Sequence, residues 1–127
     1  MRYVSTRGQA PSVGFIDAVL AGLAPDGGLY VPETWPLLSR EEIAAFAGQP
    51  YHEVAADILG RFAGNEIARG DLIAMCAEAY GGFTHKAVAP LTQIAPGAFL
   101  GELFHGPSLA FKDVAMQLLA RMMDWAL

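Results

Sequence analysis

Glycine, proline and charged residues keep every apolar stretch of this 127-residue chain short. No stretch reaches the length that a helix needs to span a bilayer. Residues 1–7 also lack the continuous apolar segment of a secretory signal. Hydrophobic residues nevertheless make up 54% of the chain and charged residues 17%, which is enough apolar material for one domain with a core. We therefore expect short helices and strands around a core, and no membrane partner.

Local patterns at the start of the chain predict a mixed α/β fold in which helix dominates. Residues 3–6 and 29–31 have the composition of short strands, and Ser12 is a candidate cap for a helix between them that ends at Gly22. The second strand follows the turn-forming sequence P-D-G-G, and this turn chemistry explains Asp26. The chain is thus predicted to open with a strand, a helix and a second strand.

Three short helices are predicted next, forming a small helical layer. Ser39 and Glu42 have the spacing of a capping box, which opens the first helix. The second begins after Pro50, and the third begins at a cap formed by Asp71 and ends near Tyr80.

The last third of the chain has a different pattern. Short apolar stretches between residues 88 and 103, interrupted by prolines, predict strands or extended links. A final helix is predicted from about Ser108 onwards. It reaches Leu127 without a glycine, asparagine or proline stop signal, which indicates a truncated piece of a larger protein.

Charge and cysteine content exclude several classes of function. The net charge is −5 and the chain has only two lysines, so a basic surface for nucleic acid is not expected. A single cysteine, Cys76, excludes an internal disulfide and is typical of a reducing compartment, so we predict a cytoplasmic protein. His52 and His85 share no ligand spacing with Cys76, so no metal site is expected.

One of the two lysines, Lys112, falls within an apolar arc of the predicted last helix. Successive helical residues advance by about 100°, which gives Lys112 nearly the bearing of three apolar residues, Met116, Leu119 and Met123. Asp113 points instead to a polar stripe, centred about 135° away by the same rule, and is predicted to be structural. The alternative for Lys112 is an amine that reaches water while its carbon stem covers apolar surface.

This position favours carbonyl chemistry at Lys112. A buried amine near the positive end of a helix dipole favours its neutral form, and a neutral amine is the nucleophile that forms a Schiff base. The preceding residues 106–108 form a loop that can offer backbone and hydroxyl donors to an anion. The residues alone do not identify the carbonyl compound.

Three stretches of the chain resemble the threonine synthase family. The segment F-H-G-P-S-L-A-F-K-D, residues 104–113, is similar to that family's pyridoxal-phosphate attachment motif, with Ser108 where the family usually has threonine. Y-V-S-T-R-G, residues 3–8, and G-L-A-P-D-G-G-L-Y-V-P, residues 22–32, are similar to the family's opening region. The three stretches occur in the family's order along the chain.

The resemblance implies a pyridoxal-phosphate-dependent carbon–oxygen lyase that converts O-phospho-L-homoserine and water to L-threonine and phosphate. It implies a tryptophan-synthase-β-like fold, with residues 1–85 as a small N-terminal domain and residues 86–127 as the incomplete start of the cofactor-binding domain. Lys112 would carry the cofactor as a Schiff base and act in catalysis, and Ser108 would contribute to cofactor binding. Because family members are several times longer, the chain alone is expected to be inactive and open to self-association.

Other polar residues have weaker assignments. Ser5, Thr6 and Arg7 are candidates for a clamp on the substrate phosphate, because arginine binds phosphate with two parallel hydrogen bonds. The alternative for Arg7 is a surface arginine after an edge strand. His105 is expected to hydrogen-bond the turn beside it, and the alternative is that it approaches the cofactor.

Two other functions are open at this point. Another lyase of the same fold type, such as a threonine dehydratase or a cysteine synthase, usually lacks the stretch at residues 22–32. A non-catalytic interaction module would instead use Met116, Leu119 and Met123 as a docking face.

Overall fold

The computed structural model describes residues 1–127 and contains five α-helices and four β-strands. In chain order these are β1 (Tyr3–Ser5), α1 (Phe15–Ala21), β2 (Tyr30–Pro32), α2 (Arg40–Ala45), α3 (Tyr51–Ala63), α4 (Arg69–Tyr80), β3 (Leu91–Ala95), β4 (Ala98–Gly101) and α5 (Asp113–Ala126). The predicted helix-rich α/β class is confirmed. None of the five helices is long and apolar enough to cross a membrane.

The strands form two separate antiparallel pairs. Strands β1 and β2 pair with Val4 opposite Val31, which joins the two ends of the predicted strand–helix–strand opening. Strands β3 and β4 form a hairpin whose two-residue turn is Pro96–Gly97. Gly97 has a φ of 73°, the left-handed conformation that glycine adopts without strain. All five residues of β3 are exposed.

One of the three predicted helix caps is confirmed and two are wrong. The capping box of Ser39 and Glu42 is present at α2. The predicted Ser12 cap is wrong, because α1 starts after Gly14 and its first amides donate to the carboxylate of Glu66, far along the chain. The predicted Asp71 cap is also wrong, since α4 starts at Arg69 and places the aspartate inside its first turn.

The core lies where α1, α3, α4 and α5 pack together. The most buried large side chains are Leu72 and Cys76 on α4, which confirms the predicted core placement of the cysteine. Burial raises the pKa of the Cys76 thiol to about 11. The Tyr80 hydroxyl donates to the Val114 carbonyl at 3.0 Å and so joins α4 to α5. Helix α5 is therefore held directly on the N-terminal helices.

Candidate active site

Lys112 is the residue at which α5 begins. Its backbone is already helical, with φ of −61° and ψ of −24°, and its carbonyl accepts from the amides of Ala115 at 3.1 Å and Met116 at 2.8 Å. The predicted helix start at Ser108 is wrong. Residues 108–112 form turns instead, because Leu109 has a φ of 61° and interrupts any helix through this segment.

The carboxylate of Asp113 holds the loop that precedes Lys112. Its Oδ2 accepts from the Ser108 amide at 2.7 Å and from the Ser108 hydroxyl at 2.8 Å. Asp113 is only 6% exposed, so its predicted position on a solvated polar stripe is wrong. The helical wheel assumes water on that side of α5, whereas residues 106–108 fold back over it.

The loop around Ser108 is closely packed and strained. A Cβ on Gly106 would lie 2.4 Å from the Asp113 Cβ, closer than side-chain atoms approach. The Leu109 amide donates to the Gly106 carbonyl at 3.1 Å, and this bond closes the turn in which Leu109 has its left-handed backbone. Glycine at 106 is therefore required by the close approach of Asp113.

The Lys112 side chain is exposed, so the predicted burial of this lysine is wrong for the chain as it stands. Helix α5 buries Leu118 and Met122 instead, and turns Lys112 and Met116 towards solvent. Met116 lies on the same side of α5 as Lys112, as the helical spacing predicts. The packing of α5 on α1 and α4 decides which side faces the core, and periodicity alone does not contain that information.

An open apolar groove lies beside Lys112. It has a volume of about 660 Å³. Lys112 is the only charged residue among those that line it, which are Leu59, Tyr80, Phe111, Lys112, Val114, Ala115, Met116, Leu118, Leu119 and Met122. The four ion pairs of the chain all involve other residues, so no carboxylate holds the Lys112 amine. A free amine at the edge of an apolar groove is chemically suited to hold a carbonyl compound with an aromatic ring.

A second polar cluster connects the β3–β4 hairpin to the start of this loop. Glu102 accepts from the Thr92 hydroxyl at 2.5 Å and from His105 Nε2 at 2.7 Å. These two hydrogen bonds, the one from Thr92 first, lower the pKa of Glu102. The His105 carbonyl accepts two further hydrogen bonds, from the Thr84 amide at 2.9 Å and from the Thr84 hydroxyl at 3.3 Å. Sequence inspection missed Glu102, whose only signal was an acid three residues before His105.

The predicted phosphate clamp gathers around Asp26. The Asp26 carboxylate accepts from the Ser5 hydroxyl at 2.7 Å and from the Gly28 amide at 2.9 Å, and the hydrogen bond from Ser5 is the main cause that lowers the pKa of Asp26. The Arg7 guanidinium donates to the Asp26 carbonyl at 2.9 Å. Asp26 therefore organises this turn, as its sequence context predicts.

Thr6 belongs to the same turn, since its hydroxyl accepts from the Leu29 amide at 3.0 Å. The structure thus brings Ser5, Thr6 and Arg7 together at the β1–β2 end of the molecule. No hydrogen bond or ion pair of the chain connects these three residues to Lys112 or Ser108.

Comparison with known proteins gives a consistent family. A family model described as "Threonine synthase N terminus" matches residues 2–80. The chain is 54% identical over its full length to a threonine synthase of Pseudomonas aeruginosa, and 38% identical to one of Methylobacillus glycogenes. It covers 27% of the first protein and 28% of the second, so it spans about a quarter of the length of these relatives.

Solved structures agree with the sequence matches. The PLP-bound threonine synthase from Brucella melitensis superposes with a TM-score of 0.94 at 59% identity, over 100% of this chain and 27% of that one. A yeast threonine synthase superposes with a TM-score of 0.87 at 33% identity, over 98% of this chain and 26% of that one.

Proposed function

Because this chain belongs to the threonine synthase N-terminal family, whose model matches residues 2–80, we propose that it forms the N-terminal part of a pyridoxal-phosphate-dependent threonine synthase. The complete enzyme would convert O-phospho-L-homoserine and water to L-threonine and phosphate in the cytoplasm. The observation that carries the proposal is Lys112, which stands at the head of α5 with a free amine beside an apolar groove.

Lys112 is the residue that would hold the cofactor. Its exposed side chain leaves the amine accessible, and the neighbouring groove offers apolar walls to a pyridine ring. When bound, pyridoxal phosphate supplies the electron sink for the reaction. Lys112 fixes where that group attaches, and its Nζ is the candidate atom to take up and return a proton once substrate has displaced it.

Ser108 would contribute to cofactor binding mainly by shaping the loop that precedes Lys112. Its one hydroxyl proton is used in the hydrogen bond to Asp113, so the oxygen can accept a further hydrogen bond but has no proton left to donate. A direct donor role towards a phosphate is thereby disfavoured, and a role in shaping the loop is favoured.

Ser5, Thr6 and Arg7 would contribute to substrate binding in the complete enzyme. Arg7 uses one guanidinium nitrogen on the Asp26 carbonyl, and its remaining N–H groups are free to bind a phosphate. Residues 1–85 would form the N-terminal domain and residues 86–127 the beginning of the cofactor domain. The exposed β3 strand supports this boundary, because none of its residues is buried against the N-terminal helices.

The test uses the full-length protein that contains this chain, with phosphate release from O-phospho-L-homoserine as the assay. Lys112→Ala is expected to abolish turnover, and borohydride reduction of the loaded wild-type protein should fix the cofactor to Lys112. Lys86→Ala is the matched control, because it removes the only other lysine of the chain.

Three results would contradict the proposal in different ways. Turnover and covalent cofactor in Lys112→Ala would refute the role of this lysine. Ammonia release from threonine without phosphate release from O-phospho-L-homoserine would favour a dehydratase. A full-length protein that binds no pyridoxal phosphate would favour an interaction module. The chain of 127 residues by itself is expected to release no phosphate in a single-turnover assay.

A further inference from the structure

We propose that Asp113 is the positioning residue for Lys112, which it places by tying the head of α5 to the loop at residues 106–108. This inference rests on the proposed function of Lys112. Asp113 is 6% exposed, and a buried carboxylate needs hydrogen-bond donors to offset its lost hydration. Both of its donors come from Ser108, which lies on the other side of the lysine in sequence.

The backbone of Lys112 is held from both directions. On the helix side, its carbonyl accepts from the amides of Ala115 and Met116. On the loop side, the Asp113 amide donates to the Ala110 carbonyl at 3.0 Å, while the Asp113 carboxylate binds Ser108. Only the side-chain torsions of Lys112 therefore remain free, which limits the positions that its Nζ can reach.

The loop would not keep this shape without the carboxylate. Leu109 has a left-handed backbone that is strained for leucine, and its side chain is 70% exposed, so core packing does not compensate for the strain. The compensation comes from hydrogen bonds, namely the Leu109 amide to the Gly106 carbonyl and the two bonds of Ser108 to Asp113. Loss of the carboxylate would allow the loop to change conformation, and Lys112 would then lose its fixed position.

Asp113 also lies in the first turn of a 14-residue helix, where any negative charge is favourable. A merely structural role would lower the stability of the protein without changing how fast the folded protein reacts at Lys112. The test must therefore measure the reaction of Lys112 with the cofactor separately from stability.

The experiment mixes the cofactor-free full-length protein with pyridoxal phosphate and follows the absorbance of the lysine-bound cofactor, with thermal unfolding measured in parallel. Asp113→Ala is expected to slow bond formation on the order of tenfold to a hundredfold, because small misplacements of a reacting group have effects of this size. Asp113→Asn should slow it less, since an amide oxygen still accepts from Ser108.

Substitutions at the other end of the contact keep the inference testable if Asp113→Ala fails to fold. Ser108→Ala removes one of the two hydrogen bonds and is expected to slow bond formation about fivefold. Ser108→Thr keeps the hydroxyl and should restore the wild-type rate. Asp57→Ala is the control for stability, because it removes a half-buried carboxylate that pairs with Arg69 away from the loop.

Wild-type rates in folded Asp113→Ala, or in Ser108→Ala, would overturn the positioning role while leaving the proposed function intact. A rate loss in Asp113→Ala that is no larger than that of Asp57→Ala at equal loss of stability would also overturn the positioning role. A wild-type protein that forms no bond at Lys112 would refute the proposed function and this inference together. Borohydride reduction and peptide mapping distinguish that case, because they identify the lysine that reacted.

Discussion

The carboxylate of Glu66 caps a helix that begins 51 residues earlier, accepting from the Phe15 amide at 2.8 Å. It also accepts from the Ile16 amide at 3.1 Å. A Cβ on Gly14 would lie 2.8 Å from the carboxylate, so glycine at this position permits the approach. The segment after α3 and the first helix are therefore joined by a charge-assisted cap.

Glu66→Ala is expected to destabilise the chain by about 1 kcal/mol, the usual cost of a lost N-terminal cap. Glu66→Gln should cost less, because its amide oxygen still accepts one hydrogen bond. Chemical denaturation of the 127-residue chain measures both effects. Equal stability of wild type and Glu66→Ala would show that water replaces the cap without loss.

Gly106→Ala is expected to destabilise the chain by about 2 kcal/mol or more, since the new methyl group would overlap the Asp113 side chain. Gly82→Ala serves as the control, because no atom lies within 4 Å of a Cβ there. The control should change stability by less than about 0.5 kcal/mol. Similar effects of the two substitutions would argue against the close packing of the loop.

Leu118→Ala is expected to cost about 2–5 kcal/mol, because it leaves a cavity between α5 and the N-terminal helices. Met116→Ala on the same helix should cost much less in the 127-residue chain, since Met116 is 53% exposed. Denaturation of the two variants compares the buried side of α5 with the side that carries Lys112. A larger loss of stability in Met116→Ala than in Leu118→Ala would show that α5 buries the opposite side.

The Glu102 cluster predicts a dependence of stability on acid. Its pKa is lowered in the folded chain from the ordinary value of 4.5, so its contribution is present above 4.5 and is lost as the pH falls through the lower folded pKa. Thr92→Val removes the hydrogen bond that contributes most to this shift. Denaturation midpoints should therefore differ between Thr92→Val and wild type at about pH 7, and the difference should shrink as the pH falls below 4.5 and through the lowered pKa of Glu102. A difference that is constant with pH would contradict the ionic role of Glu102.

Patterns confined to a few neighbouring residues were predictable from the sequence. The capping box at Ser39 and the turn in the sequence P-D-G-G at residues 25–28 both depend on local backbone chemistry, and both are present. The cap of α1 was not predictable, because Glu66 lies 51 residues from Phe15 and nothing in either segment indicates the other.

The candidate site was predictable in its residue types and not in its geometry. The motif at residues 104–113 makes Lys112 the candidate, and the helical spacing groups it with Met116, which lines the same groove. The contact of Ser108 with Asp113 depends on the left-handed backbone of Leu109, and sequence patterns do not predict such a backbone for leucine. The exposure of Lys112 depends on how α5 packs on α1 and α4, which only the assembled core determines.

Tyr80 gives the molecule an optical signal of its own. Burial is the main cause that raises its pKa, and its hydroxyl proton is engaged with the Val114 carbonyl at the joint between α4 and α5. Ionisation would remove the proton of this hydrogen bond and place a charge in a buried site, so we expect it to accompany opening of the joint. The chain has four tyrosines, so the part of the ultraviolet tyrosinate band that is lost in Tyr80→Phe is the part that reports when α5 detaches from α4.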